Sequence, residues 1–238
     1  MLPIDAILAE LKTALEQHST ALLQAPPGAG KTTRVPLALL DAPWRKGRKI
    51  LMLEPRRLAA RSAARFMAQQ LGEKAGQSIG YRTKLDSQIS ASTQIEVVTE
   101  GILTRMIQND PMLEDYAAVL FDEFHERSLH ADLGLALVRE SQQALRDDLR
   151  ILVMSATLDS APIARILGDV PVISSAGRAF PVDVIYRPVQ LRNRQQTDAV
   201  VAVIYEALAE QSGSLLVFLP GAAEIRRVEN QLRGHLSE

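Results

Sequence analysis

The sequence predicts an α/β fold, with a mainly parallel sheet covered by helices on both faces. Three observations predict it. Short apolar runs recur between helical stretches, at Thr20–Gln24, Lys49–Glu54, Gln94–Thr99, Ala117–Phe121 and Arg150–Ser155. None alternates polar with apolar residues, as a strand with one wet face would. Two of the runs lead straight into residues suited to ligand binding, Ala25–Thr32 and Asp122-Glu123, and ligands bind at the carboxyl ends of strands in open α/β sheets.

The elements follow in order. Ile4, Ile7, Leu8, Leu11 and Leu15 recur at helical spacing, so Leu2–Gln17 is expected to be a packing helix. After the strand Thr20–Gln24, the segment A-P-P-G-A-G-K-T fits a phosphate-binding P-loop whose leading Gly is replaced by Ala25. A helix from Lys31 to Leu40 follows, then a loop at Ala42–Gly47 with its Pro and Gly. Pro55 closes the strand Lys49–Glu54 and opens a helix, Arg56–Leu71, with basic residues at Arg56, Arg57, Arg61 and Arg65. The strand Gln94–Thr99 leads into a helix beginning near Glu100. Ala117–Phe121 runs into Asp122, and Arg150–Ser155 is the fifth strand. Around Ser174–Arg178 the residues turn small and polar, and we read a linker there. Beyond it we expect a strand at Val182–Tyr186, a polar loop at Arg187–Thr197, a helix at Asp198–Gln211, a strand at Leu215–Leu219 and a helix from Ala222 to about Arg233. This division assigns residues 1–177 to a first domain and 178–238 to the start of a second.

Composition narrows the functional classes. The chain has 238 residues, 47% hydrophobic and 23% charged, with a formal net charge of −1. Any nucleic-acid binding must therefore come from a local basic surface, not a global field. There is no Cys, which excludes disulfides and cysteine-based metal or redox chemistry. No secretory signal is readable at the N-terminus, and the apolar run at Val200–Ala209 is broken by Glu206 and too short to span a bilayer. A soluble, cytoplasmic chain is expected.

The P-loop residue types have chemical reasons. Gly28 and Gly30 let the backbone curl so that successive N–H groups converge on phosphate oxygens. Lys31 brings a point charge to the β- and γ-phosphates, and the Thr32 hydroxyl is a candidate Mg²⁺ ligand. The helix N-terminus at Lys31 points its dipole at the same anion. Asp122 is placed to hold the Mg²⁺ through water, and Glu123 to orient or deprotonate an attacking water. Two acids after an apolar strand also suit a plain helix N-terminus. Alongside an ordered P-loop, the pair reads as part of a nucleoside-triphosphate site.

The block D-E-F-H-E-R-S at Asp122–Ser128 resembles the second motif of superfamily-two helicases of the DEAH/RHA type. Other family motifs follow in order: G-A-G-K-T-T at Gly28–Thr33, P-R-R-L-A-A at Pro55–Ala60, G-Y-R-T-K at Gly80–Lys84, T-E-G-I-L-T-R at Thr99–Arg105, S-A-T at Ser155–Thr157 and F-L-P-G at Phe218–Gly221. Phe124, with L-E-P-R-R-L-A-A and F-H-E-R-S-L, is similar to the bacterial HrpB-like branch.

The resemblance implies two tandem RecA-like domains, the second only begun here, that use ATP and Mg²⁺ to move along single-stranded RNA. It implies nucleotide contacts from Pro27, Gly28, Ala29, Gly30, Lys31, Thr32 and Thr33, and catalytic roles for Lys31, Asp122 and Glu123. His125 would couple the γ-phosphate to the second domain, or else cap a helix. Ser155 and Thr157 would link the site to domain movement, although Ser and Thr after a strand also occur as ordinary caps. Arg56, Arg57, Lys84, Thr99, Gly101 and Arg105, with Gly221 from the second domain, are the candidate nucleic-acid contacts. Solvated surface charge is the alternative for any one of them. As a set they imply backbone binding with little sequence readout.

The sequence also departs from the family. Phe66 stands where relatives carry an Arg that stacks on adenine, Arg34 where many have Gln, and Phe124 where the family has Ala. The fifth and sixth motifs, with their γ-phosphate Arg residues, are not found. The expectation is therefore the N-terminal ATP-binding part of an RNA helicase, with weak ATP hydrolysis on its own. A nucleotide-gated RNA- or protein-binding module is the alternative. A small-molecule P-loop kinase leaves Asp122–His125 and Ser155–Thr157 without a job. Phe121, Phe180 and Phe218 are expected in the core, and Phe66 likewise unless it stacks.

Overall fold

The computed structural model describes residues 2–156, 161–177, 181–187 and 195–233. They form two compact units, Met1–Ala179 and Phe180–Glu238, each described by itself.

In the first unit a 3₁₀ turn at Pro3–Ile7 leads into α1 (Leu8–Gln17), β1 (Thr20–Gln24) and α2 (Lys31–Ala38). Next come β2 (Lys49–Glu54), α3 (Arg57–Gln70), the hairpin β3 (Ile79–Arg82) and β4 (Ser87–Gln88), and β5 (Ile95–Thr99). Then follow α4 (Glu100–Asn109), β6 (Tyr116–Phe121), α5 (Leu129–Ala144), β7 (Arg150–Ser155), α6 (Ala161–Ile166) and β8 (Val172–Ser174). The strands form one sheet in the order β4-β3-β5-β2-β6-β7-β1-β8. Every pairing is parallel except β3 with β4.

Burial on both faces explains why the strands read as unbroken apolar runs. Ile50, Met52, Ala118 and Leu120 pack toward α1, α2 and α3, against Leu11, Val35, Ala64 and Met67. Leu51, Leu53, Val119 and Phe121 point the other way, onto Leu103 of α4 and Leu135 and Val138 of α5. Each such side chain removed from water contributes about 1.5–3 kcal/mol. The parallel register also levels the strand ends: Gln24 is opposite Ser155 and Ser174, Glu54 opposite Thr99, and Leu53 opposite Phe121. The residues that follow these ends share one edge of the sheet, which is where the predicted motifs fall.

The five expected strands of this unit are present within a residue at each end. β3, β4 and β8 were not expected; at four, two and three residues they are too short to show as apolar runs. Of the expected linker at Ser174–Arg178, residues 175–177 carry no regular secondary structure and precede the division between the two units. Ser174 closes β8, the Ser175 N–H donates to the Gln24 carbonyl at 2.8 Å, and a Cβ at Gly177 would clash with the Pro26 ring. Small residues serve close packing there; Arg178 lies outside the described residues.

In the second unit α7 (Gln195–Glu210) and α8 (Ala222–Arg233) pack on each other, and Gln231 Nε2 donates to Asp198 Oδ1 at 2.8 Å. Neither expected strand, Val182–Tyr186 or Leu215–Leu219, forms. A strand exists only where a neighbour takes its backbone hydrogen bonds, and among the described residues neither segment has one. Their apolar side chains stand exposed, Val182 by 80% and Phe218 by 86%. Phe218 is thus not a core residue; Phe121 is, and Phe180 lies outside the described residues. No helix among the described residues is long and apolar enough to cross a membrane.

Candidate nucleotide site and strand groove

The turn between β1 and α2 holds Gly28 at φ 77° and Gly30 at φ 97°, the left-handed region that glycine enters without strain. Gly30 is also sterically confined, since a Cβ there would lie 2.7 Å from Leu2 Cδ1 and 3.2 Å from Ile4 Cγ2. Ala25 replaces the usual leading glycine without cost. It is outside the positive-φ set, and its N–H donates to the Ser155 carbonyl at 3.0 Å. Pro27 and Gly28 are exposed at the tip, Ala29 is buried, and the Thr33 N–H closes the first helical turn on the Gly30 carbonyl.

Lys31, 3% exposed at the start of α2, places Nζ 2.6 Å from Glu123 Oε1. Beside it the Thr32 hydroxyl donates to Asp122 Oδ2 at 2.5 Å. Asp122 directly follows β6, and its second oxygen accepts the Glu123 N–H at 2.9 Å. Burial pushes the Asp122 carboxyl up to about 6, against the Thr32 hydrogen bond that lowers it. Glu123 holds φ 48°, an uncommon conformation for a non-glycine residue and one concentrated at functional sites. Its side chain reaches Lys31.

His125 lies in the 3₁₀ turn Phe124–Glu126. Its Nδ1 accepts the Ala156 N–H at 3.2 Å, which ties the turn after β6 to the end of β7. A neutral ring that accepts at Nδ1 carries its proton on Nε2. The 3.3 Å approach of Nδ1 to Glu123 Oε2 is then proximity, not a hydrogen bond. The structure thus gives His125 a strand-to-strand contact instead of a helix cap; the cap of α5 is Ser128, whose Oγ accepts from the Ala131 N–H. Ser155 is buried at the end of β7, and Thr157 lies outside the described residues.

Phe66 is 53% exposed on α3, so the core reading of this ring is corrected. Arg34 is held by Asp5, with Nε 3.0 Å from Oδ1.

The strand candidates assemble along the same edge. Arg57, Lys84, Thr99, Gly101 and Arg105 line one groove of about 600 Å³, with Glu100 and His130 also in its wall. Arg56 faces a second, smaller cavity and pairs with Glu126, Nη2 to Oε1 at 2.5 Å. Gly221 belongs to the second unit, where its carbonyl accepts the Ile225 N–H near the start of α8.

Sequence reasoning missed four residues here. Glu126 partners Arg56; Glu100 accepts the Ser128 hydroxyl at 2.6 Å; His130 lines the groove; and Glu54 is buried at the end of β2. Burial and the charges of Asp122, Glu123 and Glu126 raise the Glu54 carboxyl to about 8, with Lys31 opposing. Its signal was available, because a Glu closing an otherwise apolar strand is a buried acid that needs a reason. Among the described residues no three His, Asp or Glu side chains converge to hold a metal by themselves.

Comparison with known proteins agrees with this architecture. Residues 7–166 match the family described as DEAD/DEAH box helicase. The chain is 52% identical over 235 residues to the ATP-dependent RNA helicase HrpB of Escherichia coli, covering 99% of this chain and 29% of that protein. It is 35% identical over 233 residues to the ATP-dependent RNA helicase HrpA homolog of Haemophilus influenzae, covering 98% of this chain and 18% of that one. A crystal structure of the E. coli DEAH/RHA helicase HrpB superposes with a TM-score of 0.89 at 51% identity, over 100% of this chain and 30% of the other. The chain therefore spans less than a third of the length of these relatives. The sheet is that of a RecA-like fold, and the chain belongs to the DEAD/DEAH box helicase family.

Proposed function

We propose that this chain is the ATP-binding part of an ATP-dependent RNA helicase, with 1–177 forming the first RecA-like domain and 178–238 the start of a second. One observation carries the reading. Lys31 and Thr32, at the start of one helix, meet Glu123 and Asp122 after a strand about 90 residues later, in two direct contacts at the carboxyl edge of the sheet. A Gly-rich turn that merely capped a helix would have no use for either acid.

In this reading the N–H groups from Pro27 to Thr33 cradle the phosphates of ATP, Lys31 turns from Glu123 to the β- and γ-phosphates, and Phe66 offers a ring to the base. Thr32 directly and Asp122 through water would hold Mg²⁺, which would supply positive charge to the phosphoryl oxygens. Glu123 orients the attacking water and takes its proton. His125, through Ala156, and Ser155 with Thr157 carry the state of the phosphate site toward the second domain. Arg57, Lys84, Thr99, Gly101 and Arg105 bind the backbone of single-stranded RNA, with Arg56 joining them and Gly221 adding a contact from the second unit. Arginines from elements outside these residues complete hydrolysis, worth about 10³–10⁵ in rate.

ATP turnover by the chain, with and without single-stranded RNA, tests this account. The expectation is little turnover while Mg·ATP still binds. RNA-stimulated turnover that Lys31→Ala abolishes would show that the chain needs no outside arginine. Nucleotide-dependent RNA binding with no strand separation by the longer protein would favour a gated binding module instead.

A further inference from the structure

Glu54 is the last residue of β2, 3% exposed, and its buried Oε2 accepts no hydrogen bond. A buried carboxylate without a partner is costly, so a native fold that keeps one calls for an explanation. Strand alternation gives its direction. Ile50 and Met52 face α2 and α3, and Glu54 continues that row. On the neighbouring β6, Ala118 and Leu120 face the same way, and Asp122 continues their row to reach Thr32 at the start of α2. Because Leu53 is opposite Phe121, Glu54 and Asp122 stand level on adjacent strands and on the same face.

Charge pairing narrows the purpose. Four carboxyl groups gather here: Glu54, Asp122, Glu123 and Glu126. Lys31 pairs with Glu123, and Arg56 with Glu126. Asp122 is left with a hydroxyl and an N–H, and Glu54 with nothing. Two level acids that no side-chain cation pairs offer their oxygens to the water shell of one divalent ion. Three-acid convergence at direct-ligand range is absent among the described residues, so the contact from Glu54 would run through water.

We infer that Glu54 is a positioning residue for the divalent cation of the nucleotide site, its Oε2 accepting hydrogen bonds from the water shell of that ion beside Asp122. The inference rests on the nucleotide reading above. It assigns a task to a side chain that the phosphate, water and strand contacts leave unused.

Mn²⁺ and ADP are the probes. Electron paramagnetic resonance gives the Mn²⁺ affinity of the chain with ADP bound, and calorimetry in chelator gives the affinity for metal-free ADP. Glu54→Gln should weaken Mn²⁺ binding about tenfold, the scale of lost outer-shell contacts, while metal-free ADP binding changes less than twofold. Glu54→Asp keeps the charge but shortens the reach by one methylene, and should also weaken Mn²⁺ binding. It carries the test alone if the glutamine variant does not fold. Unchanged Mn²⁺ affinity in Glu54→Gln would overturn the inference, as would equal weakening of both ligands. Wild-type affinity in Glu54→Asp would reduce Glu54 to a through-space charge and overturn the water contact. If the wild type binds ADP but no Mn²⁺, the metal inference fails alone; if it binds neither, the nucleotide reading fails with it.

Discussion

Lys31 Nζ lies 2.6 Å from Glu123 Oε1, so the cation assigned to phosphate is held by the acid assigned to water. An arriving triphosphate must take Lys31 away from that acid. Removing the charge of Glu123 should therefore tighten nucleotide binding while removing the water-activating group. We expect Glu123→Gln to bind ATP about fivefold more tightly, a gain of about 1 kcal/mol. Any turnover that RNA stimulates should fall at least about 100-fold. Equilibrium binding of a fluorescent ATP analogue and steady-state turnover check the two halves separately.

Arg56 is committed to Glu126, yet its position at the head of α3 suits a phosphate. An exposed pair of this kind is worth at most about 1 kcal/mol, so a strand phosphate can displace Glu126. Glu126→Gln should strengthen RNA binding by up to about fivefold. Arg56→Ala should weaken it across all sequences and reduce the slope of log affinity against log salt by about 1. Fluorescence anisotropy with labelled homopolymers across a salt series measures both.

The two P-loop glycines should tolerate alanine unequally. At Gly28 (φ 77°) no atom lies within 4 Å of an added Cβ, so the cost is the left-handed backbone alone, about 1–2 kcal/mol. Gly30→Ala meets the same penalty and also crowds Ile4, which is fully buried. We expect Gly30→Ala to be the more destabilising by about 1 kcal/mol, a further drop of about 2–4 °C in melting temperature.

Glu54 makes stability depend on pH in a particular direction. Its folded carboxyl is raised from 4.5 to about 8, so the folded chain holds a proton that the unfolded chain has lost. Stability is then full below the unfolded value and falls as pH rises through the folded one. Asp122 behaves likewise but titrates near 6, leaving the upper part of the window to Glu54. Burial raises the group most, the facing acids Asp122, Glu123 and Glu126 add to it, and Lys31 opposes them. Between pH 6 and 8 the loss should be on the order of 2 kcal/mol, at about 1.4 kcal/mol per unit of displacement. Glu54→Gln should flatten that part of the curve in thermal or urea melts.

Much of the candidate site's geometry was legible because a phosphate site would demand particular residues at particular spacings, and those residues meet in the fold. Gly28, Gly30, Lys31 and Thr32 announce a phosphate loop, and Asp122-Glu123 after an apolar run implies the opposite wall. The parallel register then brings them together. Glu54 was read only as the end of a strand, although alternation from Ile50 and Met52 already pointed it inward. Glu126 was missed as the partner of Arg56 because nothing local links residues 70 apart. β3, β4 and β8 were too short to register as apolar runs. Val182–Tyr186 and Leu215–Leu219 have strand composition, but composition cannot supply the neighbouring strand that pairing requires.

The most direct test of the account is equilibrium binding of Mg·ATP to this chain and to its Lys31→Ala variant. The account predicts measurable binding by the wild type and a loss of about tenfold or more in the variant, about 1.4 kcal/mol at least. Equal affinity in the two proteins would mean that no phosphate rests on Lys31, and the nucleotide site argued here would be wrong.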